Sequence, residues 1–235
     1  MNNKNKNEQI KLINGFPYVE FKVEKALSPD YVIERSSAFY DWINRRRSVR
    51  KFSDNPVPKR AIENLIKAAS TAPSGAHKQP WTFCVVSNKE LKAEIRKAAE
   101  NEEKTNYEHR MSERWKKDLA PLGTGMHKSF LEDAPWQIVV FKRVYEFDKE
   151  GEKRSNYYVN ESVGIACGFL ITAIFDSGLV TLPYTPSPMN FLEKILRRPQ
   201  NERAYILFPV GFPKGNAWVP HLKRKELEEM AAFYE

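Results

Sequence analysis

The sequence has few of the residues that sulfur or metal chemistry requires. Only two of its 235 residues are cysteine, Cys84 and Cys167, and both lie in apolar stretches without a CxxC pair. This usage is typical of packed, reduced thiols in a cytoplasmic protein and excludes a disulfide framework. The four histidines are scattered and form neither an HxxxH nor an HExxH motif, so no metal site is predicted. Any reductive chemistry would therefore need a cofactor.

Long apolar runs and nucleotide-binding glycine loops are also missing. The longest apolar run, residues 163–175, is too short to cross a bilayer and is predicted to form a buried core helix. Residues 1–9 are polar and lack the apolar centre of a signal peptide. Neither GxGxxG nor GxxxxGK[ST] occurs, so a dinucleotide-binding fold and a P-loop are not indicated. We expect no membrane association.

The charge is basic, with 38 Lys and Arg against 30 Asp and Glu and a formal net charge of +8. The basic residues are spread along the chain and interleaved with acidic ones, without a compact basic arm that contains aromatic residues. Nucleic acid is therefore disfavoured as a partner. An anionic cofactor or an acidic electron-donor protein suits this charge better.

The residue pattern predicts an α+β protein with an arm at residues 1–35 and one domain at residues 36–235. Apolar spacing and Pro or Ser boundaries predict helices from Ser36 or Ser37 to Arg46 and at about 58–71, 89–103, 158–176, 188–197 and 225–234. Segments rich in β-branched and aromatic residues predict strands at 81–86, 137–141, 179–182 and 204–210. The polar stretch at about 100–130 would make a poor core but a suitable mobile lid.

Two segments have the composition of a ligand site. Arg45-Arg46-Arg47-Ser48-Val49-Arg50 places several guanidinium groups around a hydroxyl, which suits a phosphate. Composition alone favours a solvated basic turn over a ligand site. In residues 71–81, TAPSGAHKQPW, small residues with Pro and Gly let backbone amides approach a flat ligand closely.

The order of these motifs resembles the FMN-dependent nitroreductase superfamily. The longer set RRSVR, TAPSGAH, EEKTNYEHR, GIACGFL, GLVT, FPVGFP and LKRK resembles the iodotyrosine deiodinase family within it, from about residue 38 onward. The resemblance implies a central, mainly antiparallel sheet flanked by helices, in an intertwined homodimer whose FMN sites draw on both subunits. Vertebrate members carry an N-terminal membrane anchor, which this sequence does not show. We therefore expect a soluble homologue of bacterial type.

The resemblance implies which residues bind FMN. The matching positions for the phosphate, the pyrimidine edge and the flavin ring are Arg46, Arg47, Ser48, Arg50, Pro73, Ser74, Gly75, Pro183, Tyr184, Thr185 and Arg224. Residues 183–185 depart from the threonine-rich vertebrate triplet and keep only the last hydroxyl. A Thr185 hydroxyl that donates toward flavin N5 would favour stepwise electron transfer over hydride transfer. Without the resemblance, Thr185 would be interpreted as a turn residue before Pro186.

Three residues of the lid carry the substrate assignment. Glu103 and Tyr107 are four apart and share a helix face, while Lys128 follows the break at Gly123-Thr124-Gly125. An amino-acid zwitterion needs an acceptor for its ammonium and donors for its carboxylate, which Glu103, Tyr107 and Lys128 can supply. Spacing alone would indicate a solvated helix. The resemblance implies that these are the zwitterion-binding residues and that the backbone amide of Ala76 holds the phenolate of the substrate.

The resulting hypothesis is reductive dehalogenation of mono- and diiodotyrosine to tyrosine and halide, with Thr185 and Ala76 next to the reacting atoms. A general NAD(P)H-dependent nitroreductase or quinone reductase is the alternative, and it would be indifferent to the amino-acid group. A flavoprotein that binds halotyrosines without turnover is a third hypothesis. The expected partners are a halotyrosine, a second copy of the chain and an electron donor, either an acidic redox protein or a flavin reductase.

Overall fold

A computed structural model describes residues 10–21 and 28–235 of the chain. The chain divides into two compact units, Met1–Arg45 and Arg46–Glu235. In the first unit, strands β1 (Ile10–Ile13) and β2 (Phe16–Val19) form an antiparallel hairpin. Asn14 and Gly15 form its turn with φ of 52° and 83°, because an Asn-Gly pair tolerates the left-handed conformation that tight hairpins require.

The first helix, α1 (Pro29–Ile43), begins eight or nine residues earlier than predicted. The predicted cap at Ser36 or Ser37 is wrong because the true cap is Ser28, whose hydroxyl accepts a hydrogen bond from the amide of Tyr31 at 3.2 Å. Pro29 follows at the first helical position, where proline is favoured because its missing N–H would be unpaired anyway. The Ser36 hydroxyl instead donates to the carbonyl of Ile33 inside the helix.

The second unit is built on an antiparallel sheet in the order β3-β4-β8-β7. Its strands are β3 (Trp81–Val86), β4 (Trp136–Arg143), β7 (Val180–Thr181) and β8 (Glu202–Gly211). A separate hairpin joins β5 (Tyr145–Phe147) to β6 (Lys153–Ser155). The bounds of β3 are the predicted ones, and the predicted antiparallel sheet is confirmed.

Helices cover both faces of this sheet. They are α2 (Lys59–Ala69), α3 (Lys89–Thr105), α4 (Glu113–Leu119), α5 (Phe130–Asp133), α6 (Val159–Asp176) and α7 (Asn190–Ile195), and a π-helical turn (Asn106–Arg110) continues α3. Alternate residues of β4 therefore enter two cores. Ile138 and Val140 pack with α2 and α6, whereas Val139 and Phe141 pack with α3, α5 and α7.

Helix α6 is the one described helix that is long and apolar enough, by length and composition alone, to cross a membrane. One of its faces lies in the core, where Val163, Ala166, Leu170 and Ile174 are fully buried. The predicted core helix is thus present, with an outer face that carries half-exposed apolar residues such as Phe169.

The predicted C-terminal helix at 225–234 is wrong. The structure has only a 3-10 turn, Leu227–Glu229, in that segment. The apolar residues that suggested the helix, Leu227, Met230 and Phe233, are all exposed. A helix of about ten residues is marginal in water unless its apolar face packs against another surface. No such surface covers these side chains within the described residues.

Candidate functional site

Glu103 and Lys128, near the two ends of the segment predicted to form a lid, make a buried ion pair. The Lys128 ammonium lies 3.2 Å from Oε1 of Glu103, and the two side chains are only 4% and 9% exposed. Glu103 is in the last turns of α3, and Lys128 precedes α5. Two charges removed from water require close partners, because an unpaired buried charge is costly. The lid thus contains a sequestered acid and base that were predicted to bind a zwitterion.

Three more residues complete this cluster, which we call the lid cluster: Glu103, Tyr107, Thr124, Lys128 and Tyr184. The Tyr107 hydroxyl donates to the carbonyl of Thr124 at 3.3 Å, and the Lys128 ammonium donates to the Thr124 hydroxyl at 3.2 Å. The Tyr184 hydroxyl donates to Oε1 of Glu103 at 3.0 Å. The structure therefore brings the three predicted substrate residues together, with two neighbours that the sequence analysis did not assign to them.

Burial sets the electrostatics of the lid cluster. Burial lowers the pKa of Lys128, and the positive charge of Arg50 adds to this effect, whereas Glu103 opposes it. Burial and the negative charge of Glu103 raise the pKa of Tyr107 and of Tyr184. Both phenols therefore stay protonated near neutral pH and act as hydrogen-bond donors. An anion placed next to Lys128 would stabilise its charged form.

The Glu100 carboxylate holds the backbone of the lid cluster at Lys128. Its Oε1 accepts the amide of Lys128 at 2.7 Å and the Nε of Arg96 at 2.8 Å. Arg96 in turn lies 2.7 Å from Glu132. Burial opposes ionisation of Glu100, but the hydrogen bonds from Arg96 and from Lys128 together outweigh it and lower the pKa of the carboxyl. The ionised Glu100 therefore connects the backbone at Lys128 to helix α3.

Replacing Glu100 by glutamine is expected to destabilise the protein by up to about 1 kcal/mol at pH 7. A carboxyl with a lowered pKa contributes stability above its ordinary value of 4.5, and this contribution is lost as the pH falls through the lowered value. Urea unfolding of wild type and Glu100→Gln should therefore differ at pH 7 and converge below pH 4.5. Glu94→Gln, an exposed change on the same helix, is the control. A difference that persists in acid would contradict this role.

A second feature is a cavity of about 360 Å³, the arginine pocket. It is lined by Arg46, Arg47, Ser48, Arg50, Leu122, Pro183, Val219, Pro220, Leu222, Lys223 and Arg224. Arg224 donates to the carbonyl of Arg46 at 3.3 Å, which holds the C-terminal segment against the 46–50 turn. The pocket thus brings together six of the residues predicted to bind the cofactor.

The arginine pocket fits a phosphate dianion. Burial lowers the pKa of Arg46, and the like charges of Arg224 and Arg47 lower it further. Several cations in one half-buried pocket repel each other, and a dianion would relieve this repulsion while accepting paired guanidinium hydrogen bonds. The positive charge of Arg50 also contributes to the lowered pKa of Lys128. A residue of the arginine pocket therefore interacts electrostatically with a residue of the lid cluster.

The loop at residues 73–79 adopts a tightly constrained backbone. Ala76, His77 and Gln79 have φ of 48°, 54° and 47°, a left-handed conformation that costs non-glycine residues about 1 kcal/mol or more each. A Cβ at Gly75 would lie 2.9 Å from the ring of Tyr158 and 3.1 Å from the carbonyl oxygen of Tyr157, so a side chain there would force one of them to shift. The amide of Gln79 donates to the Ser74 hydroxyl at 2.9 Å. Such a loop holds its backbone groups in fixed directions.

Some of the residues predicted to bind FMN or substrate lie outside both the arginine pocket and the lid cluster. Of the residues that it describes, 73–76 are not among those lining the arginine pocket. Thr185 is exposed and follows Tyr184, whose side chain points to Glu103. Contacts of these residues with FMN or substrate stay predictions.

The two cysteines are free thiols, one buried and one half-buried. Burial raises the pKa of Cys167 to about 12 and also raises that of half-buried Cys84. Both thiols are therefore protonated and unreactive at neutral pH. Residues 10–21 and 28–235 contain no group of three His, Cys, Asp or Glu side chains that could hold a metal ion.

Comparisons with known proteins place the chain in one family. The nitroreductase family profile matches residues 43–212. An iodotyrosine deiodinase from Haliscomenobacter hydrossis is 54% identical over 88% of this chain and 93% of that protein. An iodotyrosine deiodinase from Daphnia pulex is 47% identical over 92% of this chain and 72% of that protein.

A solved structure supports the same placement. Oxidized iodotyrosine deiodinase bound to FMN and 3-iodo-L-tyrosine has a TM-score of 0.73 and 32% identity, covering 83% of this chain and 99% of that one. The antiparallel sheet, the helices on both faces and the family match agree, and the chain belongs to the nitroreductase family. The relatives named above are similar along nearly its full length.

Proposed function

We propose that this protein is an FMN-dependent reductive dehalogenase that converts mono- and diiodotyrosine to tyrosine and iodide. The observation that carries the proposal is the buried pair of Glu103 and Lys128 at 3.2 Å, with Tyr107 beside it. Similarity supports it, because the iodotyrosine deiodinases named above match this chain at 47–54% identity.

The pair explains why the substrate should be an amino acid. The ammonium of a zwitterion replaces Lys128 as the partner of Glu103, and its carboxylate replaces Glu103 as the partner of Lys128. Tyr107 supplies a further donor to the carboxylate. Both buried charges then keep an opposite charge, whereas a ligand with one charge would leave one of them unpaired. A simple halophenol offers neither charge and cannot make this exchange.

The arginine pocket would hold the FMN phosphate through Arg46, Arg47, Ser48, Arg50 and Arg224. Reduced FMN, when bound, supplies the two electrons that replace a carbon–iodine bond by a carbon–hydrogen bond, with uptake of one proton and release of iodide. The exposed Thr185 hydroxyl would donate to flavin N5 and favour single-electron steps. The backbone amide of Ala76 would hold the phenolate oxygen of the substrate.

A homodimer would complete this site. The loop at residues 73–76 lies outside the lining of the arginine pocket of its own chain, and a second subunit would bring its copy of the loop to that pocket. Large exposed apolar side chains support association, among them Trp218 at 96% and Phe233 at 74% exposure in the single chain. The reductant is proposed to be an acidic redox protein or a flavin reductase, because the chain is basic. We also propose a cytoplasmic location.

The test is anaerobic single turnover. The flavin of the purified holoprotein is reduced with dithionite, 3-iodotyrosine is added, and flavin reoxidation and tyrosine formation are measured together, with 4-iodophenol as the control. Stoichiometric tyrosine with little reaction of 4-iodophenol is the expected result. Reoxidation by nitroaromatics or quinones without tyrosine would move the protein to the general nitroreductases. Tight binding of 3-iodotyrosine without product would indicate a sensor.

A further inference from the structure

Tyr184 lies at the centre of the lid cluster although it belongs to a different part of the fold. Its side chain is buried, and the edge of the Phe130 ring packs against it at 5.5 Å and 86°. Its hydroxyl donates to Oε1 of Glu103 at 3.0 Å. The ammonium of Lys128 lies 5.4 Å from the centre of its ring, within the range of a cation–π contact. Tyr184 therefore contacts both members of the ion pair.

These contacts distinguish the two oxygens of the Glu103 carboxylate. Tyr184 and Lys128 both donate to Oε1, at 3.0 and 3.2 Å. Within residues 10–21 and 28–235 no hydrogen bond reaches Oε2. Because burial and the charge of Glu103 raise the pKa of the Tyr184 phenol, the hydroxyl remains a donor. The carboxylate is thus held through Oε1, and Oε2 has no hydrogen bond to the described residues.

The backbone of Tyr184 connects this arrangement to the neighbouring ligand pocket. Its amide and carbonyl exchange two hydrogen bonds with fully buried Leu207 of β8, each of 2.9 Å. Pro183, one residue before, lines the arginine pocket, and Thr185 follows. The side chain that holds Glu103 is therefore fixed on the central sheet, between two positions that the proposed function assigns to the flavin.

We propose that Tyr184 is a positioning residue for amino-acid recognition: its hydroxyl, anchored through β8, orients Glu103 so that Oε2 receives the substrate ammonium above the segment proposed to lie along the flavin. This inference rests on the proposed function and deepens it. Tyr184 acts through Glu103 and is not itself in contact with the substrate. Its effect should therefore depend on the charged groups of the ligand and not on the halogenated ring.

The test uses full-length holoprotein with oxidised FMN. The Kd of 3-iodotyrosine and of 4-iodophenol is measured by titration of the flavin signal in wild type, Tyr184→Phe and Tyr205→Phe. Tyr205 is the matched control because its hydroxyl also donates one hydrogen bond, at 3.3 Å to the carbonyl of Asn160. We expect Tyr184→Phe to raise the Kd of 3-iodotyrosine about ten- to hundredfold, the usual range for loss of a hydrogen bond to a charged group. Binding of 4-iodophenol should be unchanged.

A second readout follows the lid directly. Trypsin can cut at Lys104, Arg110 and Lys116. In wild type and in Tyr205→Phe, 3-iodotyrosine should slow this cleavage. The same concentrations of 3-iodotyrosine should not protect Tyr184→Phe. In a Glu103→Gln background, Tyr184→Phe should add less than its effect alone, because both changes disturb one interaction.

Several outcomes would overturn the inference. An unchanged Kd of 3-iodotyrosine in Tyr184→Phe, while wild type binds it tightly, would remove the positioning role and leave the proposed function intact. An equal loss of 4-iodophenol affinity would mean that loss of the hydroxyl disturbs the whole site and not the recognition of the charged groups of the ligand. Failure of wild type to bind 3-iodotyrosine would sink the proposed function, and this inference with it.

Discussion

Glu103→Gln is expected to reduce kcat/KM for 3-iodotyrosine about 10²-fold or more while changing turnover of 4-iodophenol little. The change keeps the shape of the side chain and an oxygen that can accept from Tyr184, but it leaves the ammonium of the bound substrate without the counter-charge that Glu103 would supply. Removing one partner of a buried charge pair costs about 2–5 kcal/mol. Steady-state kinetics under anaerobic reducing conditions, with both substrates, measure the effect.

Glu102→Gln is the matched control for this change. Glu102 is the preceding residue, half-exposed and paired with Arg110 at 3.1 Å on the surface, where an ion pair contributes little. Its replacement should alter kcat/KM less than threefold. Equal losses for both variants, or an equal loss for 4-iodophenol, would refute the assignment of Glu103 to the substrate ammonium.

Arg224→Ala is expected to weaken FMN binding about ten- to hundredfold and to leave riboflavin binding nearly unchanged. Arg224 lines the arginine pocket and raises the density of positive charge around Arg46. A hydrogen bond to a charged group contributes about 1.5–3 kcal/mol, and riboflavin lacks the phosphate that would receive it. Fluorescence titration of the apoprotein with each flavin gives the two constants.

Lys225→Ala controls for the loss of one surface charge next to Arg224. Lys225 is exposed and is not among the described residues that line the arginine pocket. If Arg224→Ala weakened riboflavin and FMN alike, its role would be to hold the C-terminal segment through the carbonyl of Arg46. The ratio of the FMN and riboflavin dissociation constants, and not the FMN constant alone, therefore shows whether Arg224 binds the phosphate.

Local sequence patterns predicted the elements whose signals are local. The apolar and β-branched run of β3 and the periodicity of α3 and α6 produced bounds within about two residues of the observed ones. The hairpin at Asn14-Gly15 and the Ser28 cap were missed although both carry strong local signals. The C-terminal helix failed for a different reason, since helical spacing without a packing surface does not stabilise a helix.

The site was predictable only in part. Resemblance supplied Glu103, Tyr107 and Lys128, and the structure brings them together. Tyr184 and Thr124 were not assigned to the same cluster. Residues 103 and 184 are 81 apart in sequence. They meet only because α3 packs in the same core as Tyr184 and Leu207 of β8. Hydrogen bonds of this kind depend on tertiary geometry, which a single sequence does not encode in any local pattern.

Thr124 gives the lid cluster a kinetic property. Its carbonyl accepts from Tyr107 and its hydroxyl from Lys128, so the groups proposed to receive the substrate already have partners within the chain. Entry of an amino acid would then exchange these hydrogen bonds for contacts with the ligand, and a required opening step would lower the association rate below the diffusion limit. The same contacts must re-form on release. Both binding and release would then pass through the short turn at Gly123-Thr124-Gly125.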